Sequence, residues 1–216
     1  MVLRLAAALE VPRREQNQFL VAAGLAPEYS ERPLDDPEMA AIREGVERVL
    51  SAYEPFPCLA VDRRWDIVRA NASAAVLIDG VAPALLERPN ALRIALHPDG
   101  LASRIRNLGQ WRHHLLERLR REVTVSGDDQ LRALLTELDG YPGDAPGVDE
   151  LGGGEVQRVV VPLELTTPRG TELSLLSTVT TFGTALDLTA AELSIEAFLP
   201  ADAATAAALK EAAGAR

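Results

Sequence analysis

The chain has little of several features on which whole classes of protein depend. Its one cysteine, Cys58, excludes an internal disulfide and lies in an apolar segment, where we expect a packed thiol rather than a reactive one. No apolar run approaches the roughly 20 residues that span a bilayer, and the first residues do not form a signal peptide. With 47% hydrophobic and 25% charged residues, the composition predicts a cytoplasmic globular protein without membrane association.

Lysine is also nearly absent, since Lys210 is the only one among 216 residues and the other basic residues are arginines. Basic residues number 22 against 32 acidic ones, which gives a net charge of −10. DNA affinity comes largely from neutralised phosphates, so this acidity argues against the chain alone holding a nucleic acid backbone.

The motifs of metal proteins and enzymes are missing as well. The adjacent His113 and His114 face different directions on a helix, and they lack cysteine or carboxylate partners at ligand spacing. The strand with Ser174 and Ser177 shows neither a nucleophile elbow nor an evident general base. Glycines 152–154 lie in a polar loop, which is not a pattern that cradles phosphate. We therefore expect no catalysis, no metal and no cofactor.

The positive signals begin with a β-hairpin pattern. Four apolar residues, Cys58 to Val61, lead into an Asp-Arg-Arg turn, after which apolar and polar residues alternate from Trp65 to Ala70. Asn71 then stands where a helix N-cap belongs, because its side chain can accept an orphan backbone N–H. This order of strand, turn, strand, asparagine and short helix resembles the opening of a PAS-type sensor domain.

The remaining pattern predicts an α+β fold with a five-stranded antiparallel sheet, preceded by a short helical N-terminal segment. Asp36 and Pro37 begin one helix as N-cap and N1 residues, and Asp202 caps the last one. Thr189 and Glu192 fit a helix capping box, which competes with a strand from Leu193. The expected helices cover 2–10, 13–23, 37–53, parts of 72–88, a long stretch ending near 122, and 128–139. The expected strands cover 58–61, 65–70, 159–167, 172–182 and 193–199. A flexible loop is expected at 140–155.

Longer blocks of sequence carry a second resemblance. They are NALRIALHPDGL at 90–101, IRN at 105–107 with WRHHLLERLRRE at 111–122, and STVTTFGT at 177–184 with IEAFLPAD at 195–202. These blocks are similar to the ligand-binding part of the MmyB-like transcription regulators, bacterial proteins that join an N-terminal helix-turn-helix domain to a PAS-like domain. The resemblance implies a PAS-like fold and the regulation of transcription by a small lipophilic ligand, such as a bound fatty acid.

The N-terminus resembles the last two helices of the helix-turn-helix domain, through residues 9–12 and 19–24. The helices that enter the major groove are not in this sequence, so we expect DNA contact only through that missing part. The expected organisation is a helix-turn-helix remnant at 1–27, a linker and connecting helix at 28–54, and a PAS-like ligand-binding domain at 55–216.

The helix around Leu108 offers candidate ligand residues. At about 100° per residue its leucines form one apolar stripe, and Arg112 and Arg104 fall close to that stripe. An arginine there costs free energy unless its charge is paired, and a ligand carboxylate would pair it through bidentate hydrogen bonds. Alternatively, Arg112 pairs with a structural acid such as Glu164 or Glu196, or reaches water.

Other candidates lie outside this helix. Arg93 precedes the His-Pro turn at 97–98, and Thr178 and Phe182 stand on a strand where they either line a cavity or pack across strands. The expected ligand-binding residues are Arg112, Arg104, Arg93, Leu108, Leu115, Trp111, Thr178 and Phe182.

We therefore expect a sensor domain that binds a small lipophilic acid and passes its state to an attached helix-turn-helix domain. The helix at 37–53 is the expected lever, and its apolar face is the expected support for a homodimer. The main alternative is a PAS-like dimerisation or interaction module whose core is filled by side chains, and a weaker one is an enzyme of unknown class. A cavity large enough for a ligand would distinguish the sensor domain from the first alternative, and a pair of convergent titratable groups in it would support the second.

Overall fold

Five antiparallel strands form the sheet in the computed structural model, which describes residues 1–143, 160–182 and 187–214. Their order across the sheet is β2-β1-β5-β4-β3, so the first and the last strand of the chain pair side by side. This confirms the expected α+β fold with a PAS-like five-stranded antiparallel sheet. The strands are β1 (Cys58–Val61), β2 (Ile67–Ala70), β3 (Leu163–Thr166), β4 (Glu172–Thr181) and β5 (Ser194–Pro200).

Helices precede the sheet, connect its second and third strands, and follow it. The described α-helices are α1 (Val2–Ala8), α2 (Arg13–Ala22), α3 (Ala40–Ala52), α4 (Ala75–Ile78), α5 (Pro83–Leu86), α6 (Ala91–Leu96), α7 (Leu108–Ser126), α8 (Asp129–Asp139), α9 (Leu188–Glu192) and α10 (Ala203–Gly214). Single 3-10 turns lie at Pro37–Met39, Ala72–Ala74 and Ala102–Arg104. Within the described ranges, no helix is long and apolar enough to cross a membrane.

Local capping chemistry sets several of these boundaries. The Asn71 Oδ1 atom accepts from the Ala74 N–H at 3.1 Å, and Asp36 accepts from Glu38 at 2.8 Å, so both expected N-caps are confirmed. Asp202 caps the last helix by accepting from the Thr205 N–H at 2.7 Å, as expected. Each side chain satisfies an orphan donor of a first turn.

The prediction that Thr189 caps a helix is wrong in its position. Asp187 is the N-cap of α9, because its Oδ1 atom accepts from the Thr189 N–H at 2.9 Å. The helix ends at Glu192 and β5 begins at Ser194, so the helix and the strand follow one another instead of competing.

Long-range pairing moves other boundaries away from their predicted places. Helix α7 begins only at Leu108, because Ile105 pairs with Leu165 and the Arg106 N–H donates to the Glu164 carbonyl at 2.8 Å. That pairing holds the preceding residues in extended backbone. Strand β3 begins at Leu163, and its predicted start at 159, like the predicted loop beyond 143, lies outside the described residues.

The two faces of the sheet pack against different helices, because side chains alternate along each strand. On one face, Ile195 and Ala197 of β5 pack with Val46 and Leu50 of α3. On the opposite face, Phe198 belongs to the larger core that α6, α7 and α8 complete. The apolar face of α3, which the sequence offered as support for a homodimer, is therefore covered by the protein's own sheet.

The N-terminal helices contact the far end of this assembly. Arg14 of α2 donates from Nε to Glu192 of α9 at 2.7 Å and from Nη1 to Glu31 at 2.8 Å. These paired carboxylates raise the pKa of Arg14 further above its ordinary value. Helix α2 is thus held beside the start of β5 by a charged contact.

We expect Gly100→Ala to destabilise the fold strongly. A Cβ atom at this position would lie 2.2 Å from the Ile94 carbonyl oxygen and 3.2 Å from that of His97, which are fixed backbone groups. The free energy of unfolding, measured by urea denaturation, should fall by about 2–3 kcal/mol. Gly214→Ala is the control, since a methyl group added there would have no neighbour within 4 Å and its change should stay within about 0.5 kcal/mol. Equal effects of the two substitutions would contradict this prediction.

Candidate functional site

An apolar cavity of about 420 Å³ lies between the sheet and helices α4 to α7. This volume falls within the range of small-molecule sites, roughly 300–1,000 Å³. We call it the apolar cavity. Its wall includes Leu59, Ile67, Leu163, Glu196 and Phe198 from the sheet, Trp65 from the hairpin turn, and Ala74, Leu77, Ala91, Leu92, Ala95, Trp111 and Leu115 from the helices.

Short side chains leave this space open. Alanines recur on the segment from the end of β2 into α4 and again on α6, where larger apolar residues would fill the core to normal density. Protein interiors otherwise tolerate few voids larger than a water molecule, so a cavity of this size is a feature of the sequence. The alanines that line it are Ala70, Ala72, Ala74, Ala75, Ala91 and Ala95.

Asn71 is a polar residue of the wall whose hydrogen-bonding capacity is used within the protein. Its Oδ1 atom accepts from the N–H groups of Cys58 and Ala74, at 3.0 and 3.1 Å. Its Nδ2 atom donates to the carbonyl groups of Phe56 and Leu50, at 2.8 and 3.2 Å. Asn71 therefore joins β1, α3 and the 3-10 turn that precedes α4 at one edge of the cavity.

Glu196 brings a carboxylate into the otherwise apolar wall. The residue is 5% exposed, and its Oε1 atom accepts from Nη1 of Arg118 at 2.6 Å. Burial raises the pKa of Glu196, while the Arg118 guanidinium lowers it and the nearby Glu122 carboxylate raises it. A buried charge is tolerated here because it is paired and hydrogen-bonded.

Arg118 connects Glu196 to two further side chains. Its guanidinium carbon lies 4.1 Å from the centre of the Trp65 ring, and its Nε atom donates to Glu122 at 3.3 Å. The Trp65 Nε1–H donates in turn to Glu122 at 2.7 Å. We call Trp65, Arg118, Glu122 and Glu196 the ion-pair wall.

Trp65 is held in a backbone conformation that is unfavourable for its residue type. Its φ of 68° lies in the left-handed region, which costs a residue other than glycine roughly 1–2 kcal/mol. The Trp65 N–H donates to the Asp62 carbonyl at 3.0 Å, and its carbonyl accepts from the Ala91 N–H at 2.8 Å. This conformation ends the hairpin turn and explains why β2 begins at Ile67 rather than at Trp65.

A second recess, of about 580 Å³, lies on the other side of the ion-pair wall. We call it the polar cleft. It is lined by Arg14 and neighbouring residues of α2, by the hairpin turn, by the second half of α7 and by Glu192 of α9. Trp65 lines both spaces, Glu196 lines the apolar cavity, and Arg118 and Glu122 line the polar cleft. The ion-pair wall therefore separates the cavity from the N-terminal helices.

The structure places two of the predicted ligand residues in the cavity wall. Trp111 and Leu115 of α7 both line it. Leu108 packs at the edge of the main core but is not part of the described lining. The strand candidates lie away from the cavity, since Thr178 is exposed and Phe182 packs beside Val46 on the face covered by α3.

None of the three predicted arginines belongs to the described lining of the apolar cavity. Arg93 makes a bidentate pair with Glu137, with both N···O distances at 2.8 Å. Arg112 donates to the carbonyl groups of Leu138 and Asp139, at 2.9 and 3.1 Å, and so satisfies acceptors at the end of α8. Neither arginine belongs to the described lining.

Arg104 lies before α7 rather than on it, so its predicted position on the apolar stripe is wrong. Its guanidinium is close to Gly80, and burial lowers the pKa of Arg104 while Asp79 acts in the opposite direction. Its two terminal nitrogens are buried without a hydrogen bond to any described group. Arg104 is also outside the described lining of the cavity.

Sequence reasoning missed Arg118 and Trp65 and named Glu196 only as a partner of Arg112. A signal for Glu196 was present, since a charged residue in the middle of the apolar strand at 195–199 requires a buried partner. No local pattern shows that this partner is Arg118.

Metal-ligating side chains and the cysteine thiol are the remaining candidates for reactivity. In the part of the chain that the structure describes, no group of three histidine, cysteine, aspartate or glutamate side chains could hold a metal ion. Burial raises the pKa of Cys58 to about 11, which keeps its thiol protonated and unreactive.

Comparison with known families agrees with this geometry. The family model described as MmyB-like transcription regulator ligand binding domain matches residues 42–212, more than three quarters of the chain. This range includes the whole sheet and every described residue that lines the apolar cavity. A comparison with curated proteins found no match.

We expect Arg118→Met to destabilise the protein in a pH-dependent way. The substitution leaves the Glu196 carboxylate buried without its cation, which costs about 3–5 kcal/mol when the group is charged. Burial already raises the pKa of Glu196 above its ordinary 4.5, and the substitution removes the guanidinium that lowers it. In the variant, the contribution of Glu196 to the free energy of unfolding is therefore most favourable below about pH 4.5 and falls as the pH rises and the group becomes charged. The loss in unfolding free energy, measured by urea denaturation, should be larger near about pH 8 than near about pH 5.

Two further variants test the cause. Adding Glu196→Gln to Arg118→Met should recover part of the loss at high pH, since the uncompensated charge is gone. Arg120→Met on the same helix breaks only half-exposed pairs with Glu117 and Asp139 and should cost less than about 1 kcal/mol. If Arg118→Met and Arg120→Met lower the free energy of unfolding equally and independently of pH, the buried pair of Arg118 and Glu196 has no special role in stability.

Proposed function

The chain belongs to the family of MmyB-like transcription regulator ligand binding domains, and we propose that it is the sensor of a bacterial transcription regulator. It binds a small lipophilic molecule, such as a fatty acid, in the apolar cavity and controls an attached helix-turn-helix domain. The observation that carries this proposal is the cavity itself, which is about 420 Å³ in volume and almost wholly lined by hydrocarbon. The sensor acts in the cytoplasm, without catalysis.

The lining favours a ligand with a long hydrocarbon chain. Burying apolar surface gains about 25 cal/mol per Å², so such a chain would gain most of its affinity from the leucine, alanine and tryptophan side chains of the wall. Fatty acids and other long-chain lipophiles share this chain. The apolar lining therefore favours a hydrocarbon chain and leaves the head group to the few polar atoms of the wall.

The ion-pair wall offers a route from the cavity to the N-terminal helices. A ligand in the cavity would touch Trp65 and Glu196, while Arg118 and Glu122 face the polar cleft on which α2 rests. Helix α3, the lever expected from the sequence, packs on the opposite face of β5 from Glu196. A ligand can shift the regulator only by its differential affinity for two arrangements, and both helices contact elements that such a difference would move.

DNA contact belongs to helix-turn-helix helices outside this sequence, and a homodimer remains part of the proposal. The dimer contact would not be the apolar face of α3, which β1 and β5 already cover. The alternative of an interaction module without a ligand requires a core filled by side chains. The apolar cavity weighs against that alternative.

We expect Ala95→Phe to abolish ligand binding while the fold persists. Ala95 lines the cavity from α6, and a phenyl ring there would occupy the volume proposed for the ligand. Affinity for the neutral dye Nile red, and for decanoate as its competitor, should fall by about tenfold or more. The measurement is a fluorescence titration with a thermal melt of each protein.

Ala133→Phe is the matched control, because it adds the same ring at an exposed position of helix α8. It should leave the titration unchanged. If the wild-type protein binds neither dye nor lipid, or if Ala95→Phe binds both as wild type does, the cavity is not a lipid site and the proposal fails.

We expect Trp65→Phe to weaken the link between the cavity and α2 more than it weakens binding. The phenyl ring keeps most of the apolar wall but removes the N–H that Glu122 accepts. Ligand addition should change amide hydrogen exchange of residues 13–22 in the wild-type protein, and this change should fall by about half or more in the variant. Hydrogen exchange with mass spectrometry provides the measurement.

Trp111→Phe is the control for this second experiment. Trp111 also lines the cavity, but it does not line the polar cleft. The Trp111→Phe variant should therefore retain the ligand-dependent change in the amide hydrogen exchange of α2. A change that is equal in both variants, or absent from the wild-type protein, would rule out this route.

A further inference from the structure

Glu196 is the charged residue in the described lining of the apolar cavity. Its carboxylate is buried, and Arg118 supplies one hydrogen bond to one of its two oxygens. An ionised carboxylate has about four lone-pair sites and no proton to donate. When it is ionised, Glu196 can therefore accept a hydrogen bond from a ligand in the cavity.

The nearest cation does not reverse that charge. Arg118 bonds both to Glu196, at 2.6 Å, and to Glu122, at 3.3 Å, so two carboxylates share one guanidinium. The ion-pair wall thus has an excess of negative charge when both acids are ionised. A ligand carboxylate beside Glu196 would place a second like charge in a water-poor space, where repulsion is screened least.

Hydrogen-bond donors that could hold a carboxylate are also scarce in the described wall. The Asn71 amide donates to backbone carbonyl groups, and the Trp65 indole donates to Glu122. The Trp111 Nε1–H is buried and has no partner among the described residues, but it is one neutral donor. A single indole N–H does not offset the charge of a carboxylate.

We infer that the ligand of this cavity carries an uncharged hydrogen-bond donor, as in a long-chain alcohol, and that Glu196 selects it against a carboxylate. The hydroxyl group donates to Glu196, and the hydrocarbon chain packs against the leucines and alanines of the wall. This inference rests on the proposed function, because it names the ligand class of the same cavity. Within the small lipophilic molecules of the proposed function, it keeps the hydrocarbon chain of the fatty acid given there as an example and replaces its carboxylate by an uncharged head group.

The test compares three probes of equal chain length: 1-decanol, decanoate and decane. Each displaces Nile red from the full chain at about pH 8, where decanoate is ionised, and below the concentration at which it forms micelles. We expect 1-decanol to bind about tenfold or more tightly than decanoate, with decane between or near decanoate. Decanoate binding as tightly as 1-decanol, or more tightly, would overturn the inference and leave the proposed function standing.

Glu196→Gln tests the assigned residue. Removing the negative charge should narrow the ratio of decanol to decanoate affinity by about fivefold or more, mainly because decanoate binds better. Glu164→Gln is the control, since Glu164 lies on β3 of the same sheet, outside the described lining, and should leave the ratio unchanged. An unchanged ratio in Glu196→Gln would overturn the role of Glu196.

Failure of the proposed function has a different signature. In that case none of the three probes displaces the dye, and Ala95→Phe has no effect on dye binding. The order of affinities of the three probes for the wild-type protein tests the ligand class even if Glu196→Gln proves too unstable to purify, because decanol should bind more tightly than decane only where the wall accepts its hydrogen bond.

Discussion

The buried ion pair between Glu196 and Arg118 is the contact on which the rest of the site depends. It allows a carboxylate to stand in the middle of an apolar strand, where an unpaired charge would be too costly. The same guanidinium lies on the Trp65 ring and bonds to Glu122. One arginine thereby lies between the apolar cavity and the polar cleft, and it packs on an aromatic residue with an unfavourable backbone angle.

The side chains of β5 alternate between the two faces of the sheet, so this ion pair lies beside residues that pack on the opposite face. Ile195 and Ala197 point toward α3, whereas Glu196 and Phe198 point toward the cavity. Neighbouring residues of one strand therefore touch the apolar cavity and α3, and the ion-pair wall lies between the cavity and the cleft lined by α2. A sensor needs such shared elements, because packed structures respond to small shifts by changing between discrete arrangements.

The predicted arginines show where residue type alone misleads. Arg112 and Arg104 were chosen because a cation near an apolar stripe needs a partner, and Arg93 was chosen for its place before the His-Pro turn. For Arg93 and Arg112, tertiary folding supplied partners elsewhere, in Glu137 and in the carbonyl groups at the end of α8. The cation that pairs with the carboxylate of the cavity wall, Arg118, is 78 residues from its partner Glu196, and no spacing rule connects the two.

The sequence by itself determined what depends on neighbours along the chain. Period-2 alternation, the caps at Asn71, Asp36 and Asp202, and the apolar stripe of α3 predicted the α+β class, five antiparallel strands and most helices within a few residues. Only the tertiary structure decided what depends on contacts between distant segments. The pairing of Ile105 with Leu165 set the start of α7, and the arrangement of α6, α7 and an alanine-rich segment around one space left the cavity open. The contact of α7 with β5 placed the Glu196 carboxylate and its cation at the cavity wall.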